Sequence, residues 1–169
     1  MISLRPVTSD DALPIVAAVH RSRDALRRWM SWYRDDYDVR AAEEWIEHTL
    51  SGAKAGTDYH FAIVDQADEL IGIIGFEEMS DESGRAMLGY WLATDLAGRG
   101  IGRRAIAIAL EWARSQPRLR VVWALAADAN LPSCRVLEAN GFRIVGTRGV
   151  DERGDSTLVY ELELPASAA

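Results

Sequence analysis

The sequence holds a single cysteine, Cys134, so no intrachain disulfide can form, and that usage fits a reducing cytoplasm. Its three histidines, His20, His48 and His60, are scattered with no Cys/His cluster, which argues against a metal site. No apolar run is long enough to span a bilayer. The opening MISLRPVTSDD lacks the basic-then-apolar order of a secretory leader. There is no repeat, low-complexity tract or linker. The 169 residues suit one domain with one sizeable core. We expect residues 1–164 to form that domain and 165–169, in the terminal PASAA, to fray. The chain is acidic, with net charge −7, and lacks the overall basic surface of a nucleic-acid binder.

The charge is unevenly placed. Between Arg85 and Arg148 ten arginines stand against only Asp95, Glu111, Asp128 and Glu138, so the rest of the chain carries a large acidic surplus. An anionic ligand suits the basic segment and a cationic one the acidic part.

Periodicity divides the chain into short elements. ISLRPV reads as a strand, and Thr8 or Ser9 caps a helix through DDALPIVAAVH. RDALRRWMSWY reads as helix or turn, and Asp38 caps VRAAEEWIEHTL, which Gly52 or Gly56 ends. YHFAIVD, LIGIIGFEEM and RAMLGYWLA then read as an antiparallel meander. A helix from Ile101 to Arg114 follows, with Ile101, Ala105, Ile108 and Trp112 on one side. LRVVWALAA is a strand, NLPSCRVLEAN a short helix stopped at Gly141, and FRIVGTRGV with STLVYELEL a closing pair.

LAGRGIGRRA, Leu96 to Ala105, is the most informative stretch. Glycines take positive φ and let backbone approach a ligand closely. A helix starting at Ile101 adds unpaired N–H groups and the positive end of its dipole. Arg99, Arg103 and Arg104 add charge, so the turn suits a phosphate or pyrophosphate. G-x-x-x-x-G-K-[ST] is absent, which excludes an ordinary P-loop. Gly100, Gly102 and Ala105 do spell G-x-G-x-x-A, with Asp128 at the distance of a ribose-binding acid, so an NAD(P)-binding Rossmann-type protein stays open. The antiparallel meander before the motif speaks against it.

The second informative block is NLPSCRVLEANGFRIVGT. With GYWLATDLAGRGIGRRA, the opening LRPVTSDDA, LRRWMSW and IGIIGF, it resembles the GNAT N-acetyltransferase family, nearest to its ribosomal-protein N-terminal acetyltransferase (Rim-type) branch. The resemblance covers almost the whole chain. It implies an α/β fold with a mixed, mostly antiparallel, V-shaped sheet of about seven strands and about four helices. Acetyl-CoA would wedge between the fourth and fifth strands. The turn Ala97, Gly98, Arg99, Gly100, Ile101, Gly102 would wrap the pyrophosphate, with Arg103 nearby. Backbone at Trp91, Leu92 and Ala93 would pair with the pantetheine arm, and Asn130 would hydrogen-bond it from the other side. Ala97 departs from the family's usual Gln or Arg, which removes a side-chain contact and leaves the backbone cradle.

Acetyl transfer to an amine requires a neutral amine, a stabilised oxyanion and a proton for the departing thiolate. Ser133 stands at the branch's N-x-x-S serine, near the thioester sulfur, and is the candidate acid; its bland reading is a helix residue with a local hydrogen bond. Cys134 reads as a buried structural thiol. Glu77 is the preferred base, because a carboxylate at the end of an apolar central strand is partly buried. Glu78 and Glu152 are the reserves, and solvated strand-end glutamates are the alternative. The GYWL strand often carries an acid two residues ahead; here that place holds Met87. Trp29, Met30, Trp32 and Tyr33 lie where the branch lines its acceptor mouth, although tryptophans at i and i+3 also suit a core. The expected partner is an amine, a protein N-terminus or a small one, with no nucleic acid or membrane; monomer and homodimer are both open. A non-catalytic acyl-CoA sensor on the same fold is the alternative function.

Overall fold

The switch from helical to alternating periodicity at Tyr59 is a true boundary in the computed structural model, which describes residues 1–93, 98–151 and 153–165. Before it lie β1 (Ser3–Pro6), a 3-10 turn (Ser9–Asp11), α1 (Ala12–Arg21), α2 (Arg23–Trp29) and α3 (Val39–Ala55). After it come β2 (Tyr59–Val64), β3 (Leu70–Ser80), β4 (Arg85–Leu92), α4 (Ile101–Arg114), β5 (Val121–Ala127), α5 (Leu131–Ala139), β6 (Arg143–Val150) and β7 (Ser156–Glu163). The expected turn residue Ala97, the reserve base Glu152 and residues 166–169 of the tail lie outside the described residues.

The strands form one sheet in the order β1-β2-β3-β4-β5-β7-β6. Every neighbouring pair is antiparallel except β4 and β5, which run parallel with α4 as the crossover. The fold is thus mixed α/β, with seven strands and five α-helices among the described residues. That one parallel unit explains why the glycine turn imitates a dinucleotide fingerprint. The antiparallel remainder is not the doubly wound sheet that a dinucleotide fold requires.

Local signals set most element ends. Asp38 caps α3 by accepting from the Ala41 N–H at 2.9 Å. Gly56, at φ +78°, ends that helix; Gly52 lies inside it, buried where a Cβ would fall 2.5 Å from Asp58. The buried stripe of α4 is Gly102, Ala105, Ile106, Ala109, Leu110 and Ala113. It sits one position round from the expected face, because the small residues let the helix approach the sheet. Trp112 stays at the margin, packed on Tyr59, Phe61 and Phe76. Two apolar clusters result. One, around Phe76, Ile106, Leu110 and Tyr160, lies under α4 and α5; the other, around Ile15, Val19, Ile46 and Ile73, lies under α1 to α3.

One buried charge ties the N-terminus down. Asp11 is 2% exposed and receives hydrogen bonds of 2.7 and 2.9 Å from Arg5 and 2.8 Å from the Thr8 N–H. Burial alone raises a carboxyl pKa, but Arg5 and Thr8 outweigh it and hold Asp11 below the usual range. A depressed folded value means stabilisation that is present above the unfolded value of about 3.9 and lost as pH falls through the folded one. Arg5→Ala is expected to cost about 1–3 kcal/mol by denaturant unfolding at pH 7, less than for a sealed pair because Arg5 is one-third exposed. The gap from wild type should narrow below about pH 4.

Candidate active site

β4 and β5 part company. Their pairing covers only Arg85–Val121, Ala86–Val122 and Met87–Trp123, so Leu88 to Leu92 and Ala124 to Ala127 diverge into a wedge. The Ala93 N–H donates to Ile71 on β3, and Trp91 pairs with Ile73. Strand alternation therefore turns the backbone groups of Tyr90 and Leu92 toward the wedge. Of the three residues expected to offer backbone there, Leu92 does so, while Trp91 and Ala93 are engaged with β3.

The glycine turn lies at the wide end. Gly98 and Gly100 have φ of +79° and +73°, and a Cβ on either would meet nothing within 4 Å. Gly100 is the cap residue of α4 and has no side chain to satisfy the first-turn N–H groups of Ile101, Gly102 and Arg103. The first bond within the helix is Arg104 N–H to the Gly100 carbonyl. Arg99, Arg103 and Arg104 are exposed around this cradle. Gly102 differs from the other two: a Cβ there would lie 3.3 Å from Leu92 and 3.6 Å from Val136, so it serves the packing of α4 on β4 and α5.

On the far side of the wedge, Asn130 caps α5 by accepting from the Ser133 N–H at 3.4 Å. The Ser133 hydroxyl is 3.0 Å from that of Tyr90, so the two span the wedge. Burial pushes the Tyr90 phenol above its ordinary value, with the Ser133 bond pulling the other way. Cys134 is buried, its thiol donating to the Ala127 carbonyl at 3.5 Å.

A cavity of about 730 Å³ opens on the α1–α3 side of the sheet. Tyr90 and Trp91 leave opposite faces of β4, and both line it together with Met87 and Gly89, so the cavity runs along β4 over the stretch where that strand leaves β5. Glu77 lines it also. β3 bulges directly after Glu77, and Glu78 takes φ +52° and turns to solvent. The bulge thus separates two adjacent glutamates that alternation alone only placed on opposite faces. Trp32 lines the cavity and packs against Tyr37 and Trp91. Met30 lines it as well. Trp29 and Tyr33 are outside its lining: Trp29 lies under Arg28 and Arg153, and the Tyr33 hydroxyl donates to Asp35. Glu44 and Asp58 add negative charge to the wall, opposed by Arg34.

Comparison with known proteins identifies the family and the fold. The family model described as the acetyltransferase (GNAT) domain matches residues 2–143. The chain belongs to the GNAT acetyltransferase family. It is accordingly an N-acetyltransferase. A probable N-acetyltransferase of Bacillus subtilis, YjcK, is 28% identical over 148 residues, covering 86% of this chain and 82% of that protein. A ribosomal-protein-S5-alanine acetyltransferase from Vibrio fischeri superposes with a TM-score of 0.90 at 20% identity, covering 99% of this chain and 96% of that one. RimL, a ribosomal L7/L12 alpha-N-protein acetyltransferase solved in complex with coenzyme A, superposes equally well, with a TM-score of 0.90 at 18% identity over 98% and 95% of the two chains.

Two residues of the candidate site escape a reading of the sequence. Tyr90 sits inside a plain strand pattern, and only the parting of β4 from β5 exposes its hydroxyl to α5. His60 looks like an isolated histidine in an apolar strand, yet its Nε2 lies 3.0 Å from Glu77 Oε1. The available hint was the pairing of YHFAIVD with LIGIIGF, whose register no local signal reveals.

Proposed function

We propose that this enzyme moves an acetyl group from acetyl-CoA directly to a primary amine, with a protein N-terminus as the acceptor. One observation carries the reading. β4 and β5 part after Met87 and Trp123; the uncapped α4 terminus and the Tyr90–Ser133 hydroxyls border that opening, and the Glu77 cavity lies along the same stretch of β4. The positive-φ glycines and exposed arginines suit a pyrophosphate. The ribosomal-protein acetyltransferases named above support a protein acceptor, as does a cavity open to solvent.

The cosubstrate would supply an activated acetyl thioester. Backbone from Gly98 to Arg103 would bind its pyrophosphate. The wedge-facing groups of Leu92 and Tyr90 and the amide of Asn130 would align the pantetheine arm. Glu77 takes a proton from the incoming ammonium, which frees the nitrogen lone pair for attack. The Ser133–Tyr90 pair holds a proton where the sulfur departs. A buried phenol with a raised pKa stays protonated at neutral pH, so the pair is ready to donate. Glu44 and Asp58 favour a cationic acceptor entering past Trp32.

The test is a panel of small amines and N-terminal peptides incubated with acetyl-CoA and read by free-thiol release, together with thermal unfolding. Acetyl-CoA should raise the Tm and NAD should not, since a ligand that binds only the folded state stabilises it. Thiol release should be fastest with a peptide N-terminus. Protection without thiol release from any acceptor would mark a binding module, and equal protection by NAD would overturn the cosubstrate.

A further inference from the structure

His60 of β2 sits in a socket that two elements, α3 and β3, build around it. Its side chain is 8% exposed. Trp45 of α3 meets the ring edge-on, with centroids 5.2 Å apart. Gly75, its cross-strand partner on β3, leaves the space on the other side: a Cβ there would fall 2.3 Å from the ring's Cδ2. Thr49 Oγ1 lies 3.5 Å from Nδ1, and Glu77 Oε1 lies 3.0 Å from Nε2. Both His60 and Glu77 line the 730 Å³ cavity.

The chemistry of the two groups fixes the direction of the bond. An ionised carboxylate only accepts, so Nε2 must carry a hydrogen and donate. Nδ1 then faces the Thr49 hydroxyl, which can donate to it. Neither ring nitrogen turns a lone pair to the cavity, so His60 is not itself the base. What it does is hold Oε1 of Glu77, which stops the carboxylate from rotating and leaves Oε2 for an incoming proton. A surface glutamate has no such restraint, and holding a reacting group in place is worth a large factor in rate.

We propose that His60 is the positioning residue of the base in this enzyme, donating from Nε2 to Glu77 so that the other carboxylate oxygen faces the acceptor amine. The inference rests on the reading of Glu77 as base. In the step concerned, an ammonium N–H bond breaks and its proton forms an O–H bond at Glu77 Oε2. The electron pair stays on nitrogen, Glu77 becomes a neutral acid, and it later returns the proton to water. His60 keeps its own proton throughout.

The experiment compares His60→Phe, His60→Gln, Glu77→Gln and the double variant His60→Phe/Glu77→Gln in the thiol-release assay with a saturating peptide acceptor. Phe keeps a flat ring between Trp45 and Gly75 but cannot donate. His60→Phe is expected to lower kcat by about 10- to 100-fold, with the KM for acetyl-CoA unchanged. His60→Gln, which restores an N–H donor, should recover a large part of that loss. In the Glu77→Gln background His60→Phe should add little. If Glu77→Gln leaves the rate intact, the base reading itself fails. If Glu77→Gln slows the enzyme while His60→Phe does not, or if the two losses multiply, the positioning role is overturned and the base reading stands. Should His60→Phe fail to fold, 15N shifts of His60 in the wild-type protein decide the matter. Nε2 protonated is the expected state, and a neutral Nδ1–H tautomer would refute it.

Discussion

Ser133→Ala is expected to lower kcat by about 10- to 10³-fold, the scale of one lost general-acid contribution, while the affinity for acetyl-CoA hardly moves. The hydroxyl borders the wedge at the first turn of α5, 3.0 Å from the Tyr90 phenol. A proton donor to a leaving thiolate acts mainly in the transition state, so its removal should appear in kcat and not in ground-state binding. Tyr90→Phe separates the two hydroxyls, since it keeps the packed ring and deletes only the oxygen. A loss in Tyr90→Phe with none in Ser133→Ala would make the phenol the donor. Similar losses in both, with no further loss in the double variant, would make them one unit. Asn130→Ala should behave differently. It removes the cap on the Ser133 N–H, at a cost of about 1 kcal/mol in stability, and should weaken acetyl-CoA before it slows the chemistry. Normal turnover in both hydroxyl variants would exclude the pair from catalysis.

Gly100→Val should abolish acetyl-CoA binding, read as loss of the thermal protection that the cosubstrate gives the wild type. Two effects combine. The residue sits at φ +73°, where a β-branched side chain is strained by about 1–2 kcal/mol or more. The new methyl groups would also occupy the open space in front of the α4 N–H groups, where nothing in the protein lies within 4 Å. Gly149→Val is the control, because Gly149 has φ +67° and equally open surroundings on β6. It should lose comparable stability and keep the protection. Gly102→Val belongs to another class: its Cβ would press on Leu92 and Val136, so it should damage packing as well as binding. Full protection in Gly100→Val would show that the phosphate groups lie elsewhere.

How far a sequence reading reaches depends on the range of the signal. Asp38 capping α3 and the glycines opening α4 are local events, decided by one side chain or one dihedral, and each is legible where it stands, whereas the choice of Gly56 over Gly52 as the end of α3 needed the structure. Seven strands can be counted from the alternating runs, and short connections mark the β2-β3-β4 meander; that β4 pairs in parallel with β5, while β5 and β6, also joined through a helix, do not pair, is settled by the whole sheet. Helix faces are less secure. The stripe of α4 lies one position from the hydrophobic pattern, because close packing selected alanines and a glycine over the larger Ile108 and Trp112.

By itself the sequence determined the family, the order of the strands and of the longer helices, the glycine turn and the place of the N-x-x-S serine, while the segment of α2 stayed open between helix and turn. These rest on short stretches whose chemistry does not depend on distant neighbours. The tertiary structure alone decided which glutamate faces the cavity, since a bulge after Glu77 and a positive φ at Glu78 turn one inward and the other out. It alone brought Tyr90 to Ser133, 43 residues away, and His60 to Glu77, 17 away. It also separated Trp32, which lines the cavity, from Trp29, which lies beneath two arginines. The reason is common to all of these. Register, bulges and the parting of two strands are settled by the packing of the whole sheet, and no residue carries that information in its own neighbourhood.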